Sequence, residues 1–241
     1  MKFDKKDLLG VGITEANSDE VLEFIITSLE NGAEKYFVFT PNPELLTIAQ
    51  KDKAFKKALN DAKLALPDGV GVILAGKFLG LGLKGRITGI DLMENLCEKV
   101  AEKPITVGFL GGRPGVAVRT AECLQKKCPG LRVAFTSDEW HKDGFIAPNR
   151  QVDLLFVAFG SPKQEFWISQ NLQRLPVRVA IGVGGAFDFA SGRVRRAPTI
   201  LRKAGFEWFF RLISQPWRIK RQLRLPVFVF LVVRQKLGKP F

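Results

Sequence analysis

Residues 157–167 read VAFGSPKQEFW: an apolar run stops at Gly160, and Ser161, Lys163, Gln164 and Glu165 follow within five residues. Side chains of this kind, placed where a buried strand ends and a helix begins, suit a site that grips a polar ligand at the lip of a sheet. A polar turn with a capped helix is the plainer reading. A second stretch, LPDGVG (66–71), holds Asp68 between a proline and a glycine. An Asp-Gly pair commonly marks a turn. The chemical alternative is a carboxylate fixed on a constrained loop as a general base. With an ordinary pKa of roughly 3.9 an aspartate is a feeble base, so that role requires a desolvated site or a closely placed substrate hydroxyl.

Two further stretches bear on anions. GRITGIDLM (85–93) presents Arg86, Thr88 and Asp91 ahead of a helix; Thr88 or Asp91 serves as a cap in one reading, and Arg86 as an anion contact in the other. FLGGRPG (109–115) runs from a strand through Gly111 and Gly112 into a helix start, where glycines allow close approach and free N–H groups suit a phosphate. It is neither G-x-G-x-x-G nor a P-loop, and a plain tight turn fits it as well. There is no D-x-D, H-E-x-x-H, Cys/His cluster or G-x-S-x-G, so no metal site and no cofactor are expected. An enzyme that discharges a diphosphate without a metal must neutralise it with Lys, Arg and backbone N–H groups.

These residues need a scaffold that brings them together. Five short runs are apolar at nearly every position: 36–40, 105–110, 131–135, 152–159 and 177–183. That pattern belongs to strands covered on both faces. Helical spacing lies between them, over 18–32 with a Ser/Asp cap, over 115–128, and over 162–175 with Pro162 in its first turn. The alternation predicts an α/β fold: a doubly wound, Rossmann-like, mostly parallel sheet. Ligands of such sheets bind beyond the carboxyl ends of the strands. The tips there nominate Thr40, Asn42, Gly111, Gly112, Gly160, Lys163, Gln164, Gly184, Gly185 and Asp188 as contacts.

The charge divides the chain. Its 241 residues carry a net +13, yet residues 193–241 hold thirteen Lys and Arg against the single acid Glu207, and residues 1–192 balance 24 basic against 23 acidic. We therefore expect a near-neutral α/β domain over 1–195 and a basic appendage over 196–241 that meets something anionic. Within the appendage, Leu225–Val233 is a nine-residue apolar run with basic borders, among them Arg218, Lys220, Arg221 and Arg224. It is too short to span a bilayer, which needs about 20 residues. It suits an interfacial helix on an anionic membrane surface. The alternative is a last helix packed on the body or across the interface of a homo-oligomer. MKFDKKDLLG has no apolar segment of a signal peptide, and Cys97, Cys123 and Cys128 read as reduced core cysteines; both point to the cytoplasm.

TPNPELL, LPDGVGV, GRITGIDLM, FLGGRPGVA, VAFGSPKQEFWI, IGVGGAFDFASGRVRRAP and GFEWFFRL followed by QPWR occur in an order and spacing that resembles the WecG/TagA/CpsF glycosyltransferases, over residues 10 to 224. The resemblance implies transfer of a sugar, typically N-acetylmannosamine or its uronic acid, from a UDP donor to a polyprenyl-diphosphate-linked acceptor. It implies work at the inner membrane face, with inversion and without a metal. It makes Asp68 the catalytic base, places Thr40, Asn42 and Gln164 around the donor, and makes Arg86 an acceptor or phosphate contact. Arg211, Arg218 and Arg221 match arginines that fold over the site and stabilise the leaving UDP. Where many relatives carry Gly-Tyr-Phe, this chain has Asp143-Gly144-Phe145-Ile146, without the aromatic hydroxyl. Two other readings stand beside this one. A nicotinamide-dependent oxidoreductase fits the sheet but lacks the dinucleotide fingerprint. An RNA-binding protein fits the basic tail but needs no strand-tip pocket, and the resemblance implies no nucleic-acid partner.

Overall fold

A computed structural model describes residues 2–32, 34–139, 151–216, 219 and 223–238. Six strands form one sheet: β3 (Tyr36–Phe39), β4 (Leu64–Ala65), β5 (Thr106–Gly111), β6 (Arg132–Ser137), β7 (Val152–Ala158) and β8 (Val177–Gly182), in the order β4-β3-β8-β7-β5-β6. Every pairing is parallel. The five expected strands are all present, but β6 stands at the sheet edge with none of its residues buried, so coverage on both faces holds for the other four. Alternate residues of β7 face opposite layers: Leu154 and Phe156 join one buried cluster, Leu155 and Val157 the other. The first cluster includes α1 (Ser18–Glu30), α5 (Gly89–Val100) and α6 (Val116–Lys127). The second includes α2 (Pro43–Ala49), α3 (Lys53–Asp61) and α7 (Lys163–Asn171). Helices on both faces of a parallel sheet make the fold doubly wound, as expected.

Helix ends differ from the sequence reading by single residues, for reasons of hydrogen bonding. Asn17, not Ser18 or Asp19, caps α1: its side chain accepts from Glu20 N at 2.9 Å, and the Glu20 carboxylate accepts from Asn17 N at 2.8 Å. This reciprocal pair satisfies two donors at once. Pro162 occupies the cap position of α7 instead of its first turn, and the helix tightens into a 3₁₀ turn at Leu172–Arg174.

Residues 2–17 hold a hairpin that the sequence reading leaves unassigned, β1 (Lys5–Leu8) and β2 (Val11–Thr14). Its turn, Leu9-Gly10, has positive φ at both residues, the geometry that matches strand twist in a two-residue loop. Leu9 tolerates it because its side chain is fully buried and its backbone is held. Its N–H donates to Gln235 Oε1 at 2.9 Å, and its carbonyl accepts from Gln50 Nε2 at 2.7 Å.

Gln235 belongs to the last described helix, α11 (Arg224–Lys236), which follows α8 (Ala186–Ala190), α9 (Thr199–Lys203) and α10 (Glu207–Ser214). α11 packs against α2 and α4 (Val70–Leu79), burying Phe228 and Val232 four residues apart. Arg224, read from the sequence as a lipid-facing border, pairs with Glu44 instead. Packing on the body therefore accounts for one face of the apolar run. Val229, Phe230 and Val233 on the other face remain exposed. No described helix is long and apolar enough to cross a membrane.

Candidate active site

Asp68 is positioned by backbone bonds that extend the sheet past its last strand residues. Leu66 N donates to Phe39 O at 2.8 Å and Asp68 N to Pro41 O at 3.0 Å, which ties the Pro-Asp-Gly loop to the tip of β3. On the other side Ile87 N donates to Pro67 O at 2.9 Å, drawing in the segment that carries Arg86. Gly69 then turns the chain into α4 at φ +87°, a conformation that L side chains rarely adopt. The loop has little freedom left, and Asp68 stands at one wall of a cleft of about 750 Å³.

Burial is the main influence on that carboxylate, raising its pKa to about 7. Arg86 and Arg211 pull it back down, while Glu207 and Asp91 push it further up. A raised pKa is the condition under which the sequence reading would allow this carboxylate a base role, and burial supplies it. Arg86 lines the same cleft and donates to the Arg202 carbonyl at 3.2 Å. Thr88 and Asp91 follow the plainer reading: Thr88 Oγ1 accepts from Asp91 N at 3.2 Å and donates to Asp91 Oδ2 at 2.6 Å, capping α5.

The opposite wall comes from β7 and β8. Gln164 is buried and its amide is fully engaged. Nε2 donates to Glu165 Oε1 at 2.9 Å, and Oε1 accepts from Gly184 N at 3.0 Å. Ser161 Oγ donates to the same Glu165 oxygen at 2.7 Å. This cluster locks the tip of β7 to the tip of β8, so the polar residues that follow VAFG brace the cleft as well as line it. Thr40 and Asn42 stand at the tip of β3, where Asn42 Oδ1 caps α2 by accepting from Leu45 N at 3.1 Å. Gly185 has an ordinary φ and packs against the Arg211 guanidinium, which a methyl group there would push aside. Arg211 lies 4.7 Å above the Phe189 ring, a cation–π contact that aims it across the cleft.

The cleft thus gathers Thr40, Asn42, Asp68, Arg86, Gly160, Gln164, Gly184, Gly185 and Arg211. Four other nominated residues are not on its wall. Gly111 ends β5 and Gly112 follows it, beyond the β4-β3-β8-β7 part of the sheet, and a methyl group at Gly111 would press on the Ala158 backbone, so packing explains that glycine. The helix start beside them already holds an anion. The Asp138 carboxylate accepts from Gly115 N and, at 2.9 Å, from Ala117 N. Lys163 points to solvent. Asp188 lies in α8 outside the cleft lining, its carbonyl accepting from Val194 N at 2.9 Å. Arg218 and Arg221, like Asp143–Ile146, lie outside the described residues.

Sequence reasoning missed Glu207, which lines the cleft and accepts from Arg196 Nε at 3.1 Å. Arg196 also reaches Asp91 at 2.7 Å, joining α10 to α5. Its one mark in the sequence is that it is the single acid of a strongly basic appendage, which by itself does not place it in the cleft. Among the described residues, no three His, Cys, Asp or Glu side chains converge as metal ligands would.

The chain is thus an α/β protein with a doubly wound parallel sheet, which gathers a carboxylate and arginines at its carboxyl edge, where open sheets of this class place their ligands. More narrowly, the model of the "Glycosyl transferase WecG/TagA/CpsF family" matches residues 6–240, and the chain belongs to that family. Relatives named N-acetylglucosaminyldiphosphoundecaprenol N-acetyl-beta-D-mannosaminyltransferase are similar over most of their length. The one from Bacillus spizizenii is 35% identical over 209 residues, 83% of this chain and 79% of the relative. The Bacillus subtilis protein is 31% identical over 226 residues, 89% and 88%. The Staphylococcus aureus (strain MW2) protein is 32% identical over 244 residues, 96% and 93%.

Proposed function

We propose that this glycosyltransferase moves N-acetylmannosamine from a UDP donor to the GlcNAc of a polyprenyl-diphosphate-linked acceptor, with inversion and without a metal ion. The observation that carries the reading is the confined Asp68 carboxylate, with a pKa of about 7, in one cleft with Arg86 and Arg211. A base of that strength is partly ionised at neutral pH and still strong enough to take a hydroxyl proton late in the transition state. Asp68 accepts the proton of the acceptor hydroxyl. That oxygen forms a bond to the anomeric carbon, and the bond from this carbon to the diphosphate oxygen breaks with its electron pair, releasing UDP. Attack opposite the leaving group inverts the centre, in keeping with the beta linkage in the relatives' names.

Arg211, which lines the same cleft, meets the leaving diphosphate and stabilises its developing charge. Residues from 196 onward complete the site: Arg211 and Glu207 both come from α10 and both line the cleft. Exposed apolar side chains outside the cleft, Ile200, Phe230 and Leu237, keep the enzyme peripheral on the inner face of the membrane, where a lipid-borne acceptor lies.

The test is a panel of UDP-sugars with a short-chain polyprenyl-diphosphate-GlcNAc, read by product mass in the presence and absence of a chelator. UDP-N-acetylmannosamine should give product in both conditions, and kcat/KM should rise with pH through about 7. Asp68→Asn should lower turnover by about 10²–10⁴-fold with UDP affinity retained. Loss of turnover with the chelator overturns metal independence, and normal turnover by Asp68→Asn removes Asp68 as base.

A further inference from the structure

The cleft is not polar throughout. Around Asp68 and Arg86 its wall is charged and rich in backbone amides, but every residue that α4 and α11 contribute is apolar or glycine. Leu74 and Phe78 on α4, and Val229 and Val233 on α11, sit at helical spacing of four, so each pair forms a ridge on one helix face. These side chains are far from buried: Leu74 is 60% exposed and Val229 54%. The inner end of the groove is narrow. Gly71 lies between Pro43 and Leu225, with room for no side chain against the proline. From Gly71 to Phe78 the α4 rail runs on the order of 10 Å. At its outer end Lys236 Nζ stands 5.7 Å from the centre of the Phe78 ring.

We propose that this groove holds the isoprenoid chain of the acceptor, taking the units nearest the diphosphate. The assignment rests on the acceptor reading given above. With the acceptor sugar at Asp68 and its diphosphate beside Arg86, the attached chain starts beside the α4 and α11 walls of the same cleft. The wall formed by α4 and α11 offers hydrocarbon and no hydrogen-bonding side chain. A peptide laid there would leave its backbone N–H and C=O groups unpaired, whereas a branched hydrocarbon has none to satisfy. The groove opens beside a basic side chain, which suits an exit toward anionic headgroups. Chain length thereby becomes a specificity determinant of the reaction, read through apolar contact.

The experiment uses the full-length chain in vesicle-free solution, with GlcNAc-diphosphate esters bearing either a methyl or a farnesyl tail. Wild type should favour the farnesyl ester in KM. Leu74→Asn and Val233→Asn, both at exposed positions, should each reduce the farnesyl-to-methyl ratio of kcat/KM by about fivefold or more, equivalent to about 1 kcal/mol. A diazirine-bearing farnesyl ester should label peptides within 70–79 and 224–236. An unchanged ratio in the variants, or a wild type indifferent to the tail, overturns the groove assignment while leaving the transfer activity standing. A changed vesicle partition or oligomeric state with an unchanged ratio also overturns it, assigning the face to bulk lipid or to a second copy. No transfer to either ester overturns the activity reading itself, and the groove assignment with it.

Discussion

A carboxylate with a pKa near 7 acts on stability as well as on chemistry. In the unfolded chain Asp68 titrates at roughly 3.9, while burial raises it to about 7 in the fold. Between those values the unfolded state binds fewer protons than the native state, so this group lowers stability as pH rises from about 4 and its effect levels off above about 7. Asp68→Asn should therefore be more stable than wild type at pH 8, by on the order of 2 kcal/mol, and close to wild type near pH 4. Thermal unfolding across that range checks it; a stability difference independent of pH would remove the burial argument. Gly185 poses a different residue-scale question. Because a side chain there collides with the Arg211 guanidinium, Gly185→Ala should displace Arg211. Turnover should fall by about tenfold or more, with little change in thermal midpoint, since the glycine needs no unusual φ. Thr40, Asn42, Asp68 and Gln164 could be picked out because each closely follows a strand in a short constrained motif, and Arg86 because its motif opens a helix. Glu207 was not, because its place in the cleft depends on how α10 docks through Arg196, which no local spacing encodes.

Elements were legible wherever burial imposed a pattern. β7 and β8 are covered on both faces, and their sequences say so at nearly every position. The β1–β2 hairpin escaped notice because it is half exposed and its turn carries Leu9-Gly10 in place of Asn-Gly or Asp-Gly; distant contacts from Gln235 and Gln50 hold it instead. The start of α6 shows how a correct element can suggest the wrong ligand. Glycines before a helix resemble a phosphate cradle, yet Asp138, twenty-one residues beyond Ala117, supplies the anion. Asp138→Ala should then cost about 1 kcal/mol of stability and leave UDP affinity within about twofold by calorimetric titration. Were α6 the donor-phosphate site, removing the competing carboxylate would strengthen UDP binding markedly.

At the scale of the whole molecule the issue is where the basic appendage spends its charge and its apolar surface. Part of each faces inward. Arg196 and Arg224 pair with Asp91, Glu207 and Glu44, and Phe228 and Val232 are buried against the body. Deleting 225–241 would therefore remove part of the core together with any lipid contact, and its outcome would be ambiguous. Substitutions confined to exposed apolar side chains separate the two. Ile200 is 80% exposed and Leu237 63% exposed, and neither lines the cleft. Replacing both by Ser should leave the thermal midpoint and the reaction in vesicle-free solution unchanged. Partition onto vesicles containing anionic lipid should fall by roughly thirtyfold or more, because each of the two large apolar side chains lost from the interface forfeits about 1 kcal/mol or more. Raising salt should weaken the binding of both proteins, since the remaining Lys and Arg act through a screened surface potential. Equal partition of the double variant and wild type would show that charge alone recruits the protein, and the exposed apolar surface would then have to serve a different contact.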